Sequence, residues 1–187
     1  MTSKTEIANI ALQKIGDDGA LLDVNVDNTE QARKIRRIYD TVRRNEIRRH
    51  RWNFAIKRVA LAADVTAPAF DFKYQYLLPA DCLRPLRSKD DYDWQVEGKY
   101  ILTDQGAPLQ IRYLADIEDE NQWDASFVEA MACRLAMEIA ERSTGSTAKR
   151  QLAQQDYRDA INEARRADAF ENPPDEMNTD DWLLARW

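Results

Sequence analysis

Only one histidine and two cysteines occur in 187 residues, and glycine (5) and proline (6) are scarce too. Cys82 and Cys133 stand far apart and match no CxxC spacing, so they read as reduced core thiols in a reducing compartment. With His50 as the single imidazole, a zinc or transition-metal centre has no nitrogen and sulfur ligand set. A Ser-His-Asp triad would have to use His50 with no serine placed beside it, and a lone histidine at the end of an arginine-rich helix is ordinarily solvated or capping. The low glycine and proline content argues against a long low-complexity region, so any disorder is expected at a terminus. No stretch approaches the roughly 18 uncharged apolar residues of a membrane helix. "MTSKTEIANIALQKIG" carries Lys4, Glu6 and Lys14, so neither a signal peptide nor membrane attachment is expected.

Motifs for chemistry are equally sparse. "TGSTAKR" has the residue types of a phosphate loop but not the GxxxxGK[ST] order, and it connects two helical patterns instead of following a strand. Carboxylates are plentiful, Asp90, Asp91 and Asp93 among them, which leaves a hydrolase or a hard-cation site as a distant alternative. No acidic pair stands out from the solvated background. We expect no catalytic residues, no cofactor and no metal.

What the chain has is segregated charge. Between Thr29 and Arg51 nine Lys/Arg stand against three acidic residues, a balance of +6 in a chain whose total is −6, so the remainder carries −12. At this length one well-buried core with an insertion is expected, not two full domains.

The hydrophobic periods give the layout. Ser3 and Glu6 form a capping-box pattern, and Ile7, Ile10, Ala11 and Ile15 then make a short amphipathic helix ending at Gly16. A second helix starts after Asn28 or Thr29, with an inner stripe of Ala32, Ile35, Ile38, Tyr39 and Val42. The period then changes. "FAIKRVALA" reads as a strand, "FDFKYQYLLP" alternates cleanly from Phe70 to Leu78, "WQVEGKYILT" reads as a hairpin turning at Glu97 and Gly98, and Leu109 to Tyr113 alternate again. Ser126 and Glu129 suggest a second capping box before a third helix that stops at Gly145. A fourth helix runs from Thr147 to Phe170, and Pro173-Pro174 stop it. The expected fold is α+β: a bundle of about four helices (residues 1–52 and 118–170) with a small antiparallel sheet (53–117) inserted between the second and third. An acidic tail (171–187) follows, with five acidic residues, one basic residue and an apolar cluster of Trp182, Leu183, Leu184 and Trp187. That cluster is the kind of anchor that dominates a binding hot spot. The tail either folds back over its own bundle or orders on a partner.

At about 100° per residue, Arg33, Arg37, Arg44, Arg48 and Arg51 fall within roughly 60° of one another, opposite the apolar stripe. Three readings compete. A solvated face would usually interleave signs to gain i,i+4 pairs. Phosphate contact by a DNA-binding regulator using residues 29–51 fits a basic row, but the pI near 5.0 and the lack of a second basic element weigh against it. Docking to an acidic protein surface fits the arginine fork and the acidic remainder.

An ordered set of segments then resembles a family. "IANIALQKIG", "ARKIRRIYDTVRRNEIRRHRWNFAIKRVALA", "YQYLLPADCLRPLR", "YDWQVEGKYILTD" with "PLQIRYLADIED", "WDASFVEAMACRLAMEIAERSTGS" and "DWLLARW" cover nearly the whole chain. Together they resemble the tail tubular protein A family, the head-to-tail adaptors of short-tailed bacteriophages and related prophages. The resemblance implies a structural virion protein and no active site. It also implies a twelve-subunit ring between the portal protein and the tail nozzle (tail tubular protein B), at the head-tail junction of the virion, with assembly in the host cytoplasm. Double-stranded DNA would pass through such a ring without sequence-specific binding. A row of arginines repeated round the bore would brake that DNA, so Arg33, Arg37, Arg44, Arg48 and Arg51 are expected to face protein. Charge reversal of Arg37 and Arg44 is expected to block assembly while leaving the monomer folded.

Overall fold

The computed structural model describes residues 2–86 and 93–171. Helix α1 is Lys4–Lys14, started by Ser3, whose Oγ accepts from the Glu6 amide at 3.2 Å. Its buried side chains are Ile7, Ala8, Ala11 and Leu12. The loop that follows is held by side chains that stand in for backbone partners. Asn9 accepts from Leu21 N and donates to Leu21 O, and Thr5 Oγ1 accepts from Val24 N. This buries Leu21 and Val24 and leaves Leu22 and Val26 exposed. Helix α2 is Glu30–Arg49, capped by Thr29 Oγ1 on the Ala32 amide, with Ala32, Ile35, Tyr39, Val42 and Ile47 facing inward.

Among the described residues, six strands lie between α2 and α3: β1 Ile56–Leu61, β2 Tyr74–Leu77, β3 Cys82–Leu86, β4 Trp94–Glu97, β5 Tyr100–Thr103 and β6 Leu109–Ala115. They form two antiparallel three-stranded sheets, ordered β1-β6-β3 and β2-β5-β4, where a single small sheet was expected. β3 was not expected at all. Its run "CLRPL" has no alternation and contains Pro85, and its register shifts between Cys82 and Arg84, as suits an edge strand. The alternating run from Phe70 shortens to Tyr74–Leu77, because Asp71 takes a left-handed backbone (φ 69°) and Phe70 stays exposed. The β4-β5 hairpin turns at Gly98 and Lys99, one residue later than expected. Gly98 has φ 58° at the first of the two loop positions, the pattern of a type II′ turn.

Helix α3 is Ala125–Thr144 and α4 is Thr147–Glu171. The α3 cap is Asp124, whose Oδ1 accepts from the Ser126 amide at 2.8 Å, so Ser126 is the second helical residue and not the cap. Gly145 ends the helix with φ 65°, and its amide donates to Glu141 O. α3 packs against α1, α2 and α4. Its own buried set (Phe127, Ala130, Met131, Ala132, Cys133, Leu135, Ala136, Ile139, Ala140) is rich in alanine, which lets the neighbouring helices approach closely. The first sheet joins this core through Leu86, Tyr113, Leu114 and Ala115. A smaller cluster of Leu61, Tyr76, Ile101, Leu109 and Ile111 lies between the two sheets.

Candidate functional site

Arg33, Arg37, Arg44, Arg48 and Arg51 are all exposed. The helix ends at Arg49, with His50 in extended backbone as its C-cap, so Arg51 lies beyond it. The row on α2 itself is Arg33, Arg37, Arg44 and Arg48, about 22 Å long at 1.5 Å per residue. Three of the four also bond within the chain. Arg33 Nη1 donates to Asn28 Oδ1 at 2.8 Å, Arg44 Nε donates to Asp116 Oδ2 at 2.7 Å, and Arg48 donates to the Leu83 carbonyl on β3. The hydrogen bond and charge of Asp116 push the Arg44 pKa further up. Arg37 and Arg51 have no hydrogen-bond or ion-pair partner among the described residues.

The inner side of the same helix carries charge that the sequence reading missed. Arg43 is buried, and its guanidinium reaches Asp116 (Nε 3.1 Å, Nη2 3.1 and 3.2 Å), Glu118 (3.2 Å) and Asp40 (3.2 Å). Asp116 and Glu118 follow β6 directly, so Arg43 and Arg44 pin the end of the first sheet to α2. Glu46 is 1% exposed. Its Oε1 accepts from Arg134 Nε and Arg49 Nη1, both at 3.1 Å, and its Oε2 accepts from Tyr157 Oη at 2.7 Å. One carboxylate thus ties α2 to both α3 and α4. Burial, with the bond to Glu46, pushes the Tyr157 pKa up to about 12. Apart from Asp40 and Arg49 on the same helix, the partners of Arg43 and Glu46 lie dozens of residues away, so only their spacing hinted at burial. Arg43 follows Tyr39 by four, and Glu46 precedes Ile47 on the inner edge of the wheel.

A third buried charge, Asp168, closes the other end. Its Oδ1 accepts from Asn53 N and its carbonyl accepts from Asn53 Nδ2, each at 2.8 Å, while His50 Nε2 lies 3.3 Å from Oδ2. Burial lowers the His50 pKa and outweighs the opposing pull of Asp168. The last turn of α4 is therefore fixed beside the residues that follow α2.

Each of these buried carboxylates meets donors from distant parts of the chain, and together they act as structural ties. Among the described residues no group of three or more His, Cys, Asp and Glu could hold a metal ion. Asp93 is exposed, and its carbonyl accepts from Thr103 Oγ1. Asp90 and Asp91 lie outside the described residues, as do Pro173, Pro174, Trp182, Leu183, Leu184 and Trp187. No helix among the described residues is long and apolar enough to cross a membrane. What this face offers a partner is one unengaged guanidinium fork on α2, Arg37, and a second, Arg51, just beyond the helix end, with Arg33, Arg44 and Arg48 already bonded within the chain. Such forks suit carboxylates or phosphates. No protein-family model matches the chain, and no curated protein matches it.

Proposed function

We propose that this chain is a structural head-to-tail adaptor of a short-tailed bacteriophage. Its subunits form a ring, of twelve in the family it resembles, that joins the portal protein to the tail nozzle and extends the DNA channel. The reading rests on the ordered resemblance along nearly the whole chain. The observation that carries it is the basic outer face of α2, where Arg37 on the helix and Arg51 just past its end stand exposed without partners among the described residues, the helix itself being clamped at Glu46 and Arg43. A rigid helix that holds arginines outward loses little entropy on docking to an acidic surface.

The best probes are now Arg37 and Arg51, since Arg44 contacts Asp116 and its reversal would set two carboxylates together. The variant Arg37→Glu/Arg51→Glu is expected to keep the wild-type circular dichroism and melting midpoint while losing co-sedimentation with portal protein. A variant that assembles normally but alters DNA retention would place the arginines at the bore. Salt-dependent duplex binding by the isolated wild-type protein, with a slope that falls in the variant, would favour the DNA-binding regulator instead.

A further inference from the structure

The sequence has no second basic run, but folding assembles a second basic cluster from separate elements. In the register of the first sheet, Arg58 on β1 stands directly opposite Arg112 on β6, Arg112 is in turn opposite Leu86 on β3, and Arg84 on β3 is opposite Leu114. Strand alternation puts Arg58, Arg112 and Arg84 on one face, the face whose Ile56, Leu86 and Leu114 pack into the helical core. The three run diagonally across the strands, with Cβ spacings of about 5 Å for the opposed pair and about 7–8 Å along the diagonal. Both gaps are within the span of an arginine side chain. His50, whose pKa is lowered first by burial, feels the positive charges of Arg165 and Arg84 in the same direction, so Arg165 on α4 and Arg84 on β3 both lie close to that ring. The carboxylate that acts on the same ring, Asp168, already has its oxygens on Asn53 N and His50 Nε2.

Three features distinguish this cluster from a solvated face. Arg84, Arg112 and Arg165 are half-buried, yet neither their guanidinium groups nor that of Arg58 has a hydrogen-bond or ion-pair partner among the described residues. The Nε of Arg165 is buried and unbonded. Like charges directly opposite in an antiparallel ladder, as Arg58 and Arg112 are, repel each other. A bound anion relieves all three. We infer that Arg58, Arg84, Arg112 and Arg165 form a binding site for a phosphate group. A carboxylate has two oxygens and is filled by a single guanidinium fork, whereas a phosphate brings more oxygens and up to two negative charges, enough to accept from several forks at once. Inorganic phosphate and a phosphodiester backbone share this chemistry. The site uses none of the α2 arginines and does not depend on the chain being an adaptor.

The test is calorimetric titration of the full chain with inorganic phosphate, at an ionic strength held constant with sodium chloride. A single saturable site per chain is expected. Arg58→Gln/Arg112→Gln should weaken it by about tenfold or more, the loss of at least one charge-assisted hydrogen bond. Arg112→Lys, which keeps the charge but not the fork, should weaken it less, and Arg37→Glu/Arg51→Glu should leave it unchanged. Circular dichroism checks that each variant folds, and in phosphate-free buffer the double glutamine variant should melt no lower than the wild type, since the opposed charges are gone. Competition by a short duplex, weaker in the glutamine variant, would identify a phosphodiester backbone as the source of the phosphate, and no competition would identify the free ion. Lack of saturable phosphate binding, binding undiminished in the glutamine variant, or a lower melting midpoint of that variant in phosphate-free buffer would overturn the inference, the last by showing that the arginines hold the fold together. Binding of polyglutamate without binding of phosphate would overturn it too, in favour of an acidic protein. Portal binding enters no arm of this experiment, so the two proposals fall separately.

Discussion

Glu46→Ala should be strongly destabilising, although the residue is buried and lies outside the exposed arginine row. The carboxylate receives three donors, Arg134 and Arg49 at 3.1 Å and Tyr157 at 2.7 Å. Removing one partner of a buried ion pair typically costs about 3–5 kcal/mol, because the other is left without compensation. The lower end applies here. Arg134 keeps a second carboxylate, Glu138 one turn away, and Arg49 is half-exposed and reaches water. A loss of about 3 kcal/mol in a chain of this size lowers the thermal midpoint by roughly 6–12 °C. Glu46→Gln keeps an acceptor for Arg134 and should lose only about 1–2 kcal/mol. Replacing both Glu46 and Arg134 by leucine should recover most of the loss, since neither charge is then stranded. Melting followed by circular dichroism, together with the Tyr157 titration, makes the check. In Glu46→Ala the phenol pKa should fall from about 12 towards its ordinary value, since the carboxylate that opposes its ionisation is gone. A midpoint shift below about 2 °C would mean that the carboxylate does not bind α2 to α3 and α4.

Two further tests address the frame. Gly145→Ala should lose about 1–2 kcal/mol by chemical denaturation, and Gly145→Asn less; a Cβ there meets nothing within 4 Å, so the whole loss is the left-handed backbone at φ 65°. Burial, with hydrogen bonds to Asp81 and Glu46, raises the pKa of Tyr113 and Tyr157 to about 12. The folded state thus holds protons that the unfolded state has released, so this stability is complete below about pH 10 and is lost as the pH rises towards 12. Absorbance at 295 nm should show these phenols ionising together with unfolding, and an earlier, independent titration would refute the burial argument.

The parts of the fold that were legible are those fixed by local chemistry. Ser3 and Thr29 cap their helices, Gly145 ends α3, and the inner stripes follow the 3.6-residue period. What stayed hidden depends on distant partners. β3 owes its existence to pairing with β6, not to its own pattern, and Phe70 to Lys73 alternate like a strand but find no strand opposite. The site divides in the same way. The wheel placed Arg33, Arg37, Arg44 and Arg48 on the exposed side. It gave no sign that Arg44 would meet Asp116, and only the spacing of Arg43 and Glu46 beside Tyr39 and Ile47 hinted that they would turn inward to tie sheet and helices together. In a charged helix the letters look alike, and only tertiary contacts separate a clamp from a docking surface.

The most direct test of the adaptor reading is the mass of the purified chain, alone and after mixing with portal protein, by native mass spectrometry. The account predicts a discrete multi-subunit ring on the portal, whatever the mass of the chain alone. A chain that stays monomeric beside an intact portal ring, in low salt and at concentrations well above those of assembly, would contradict it.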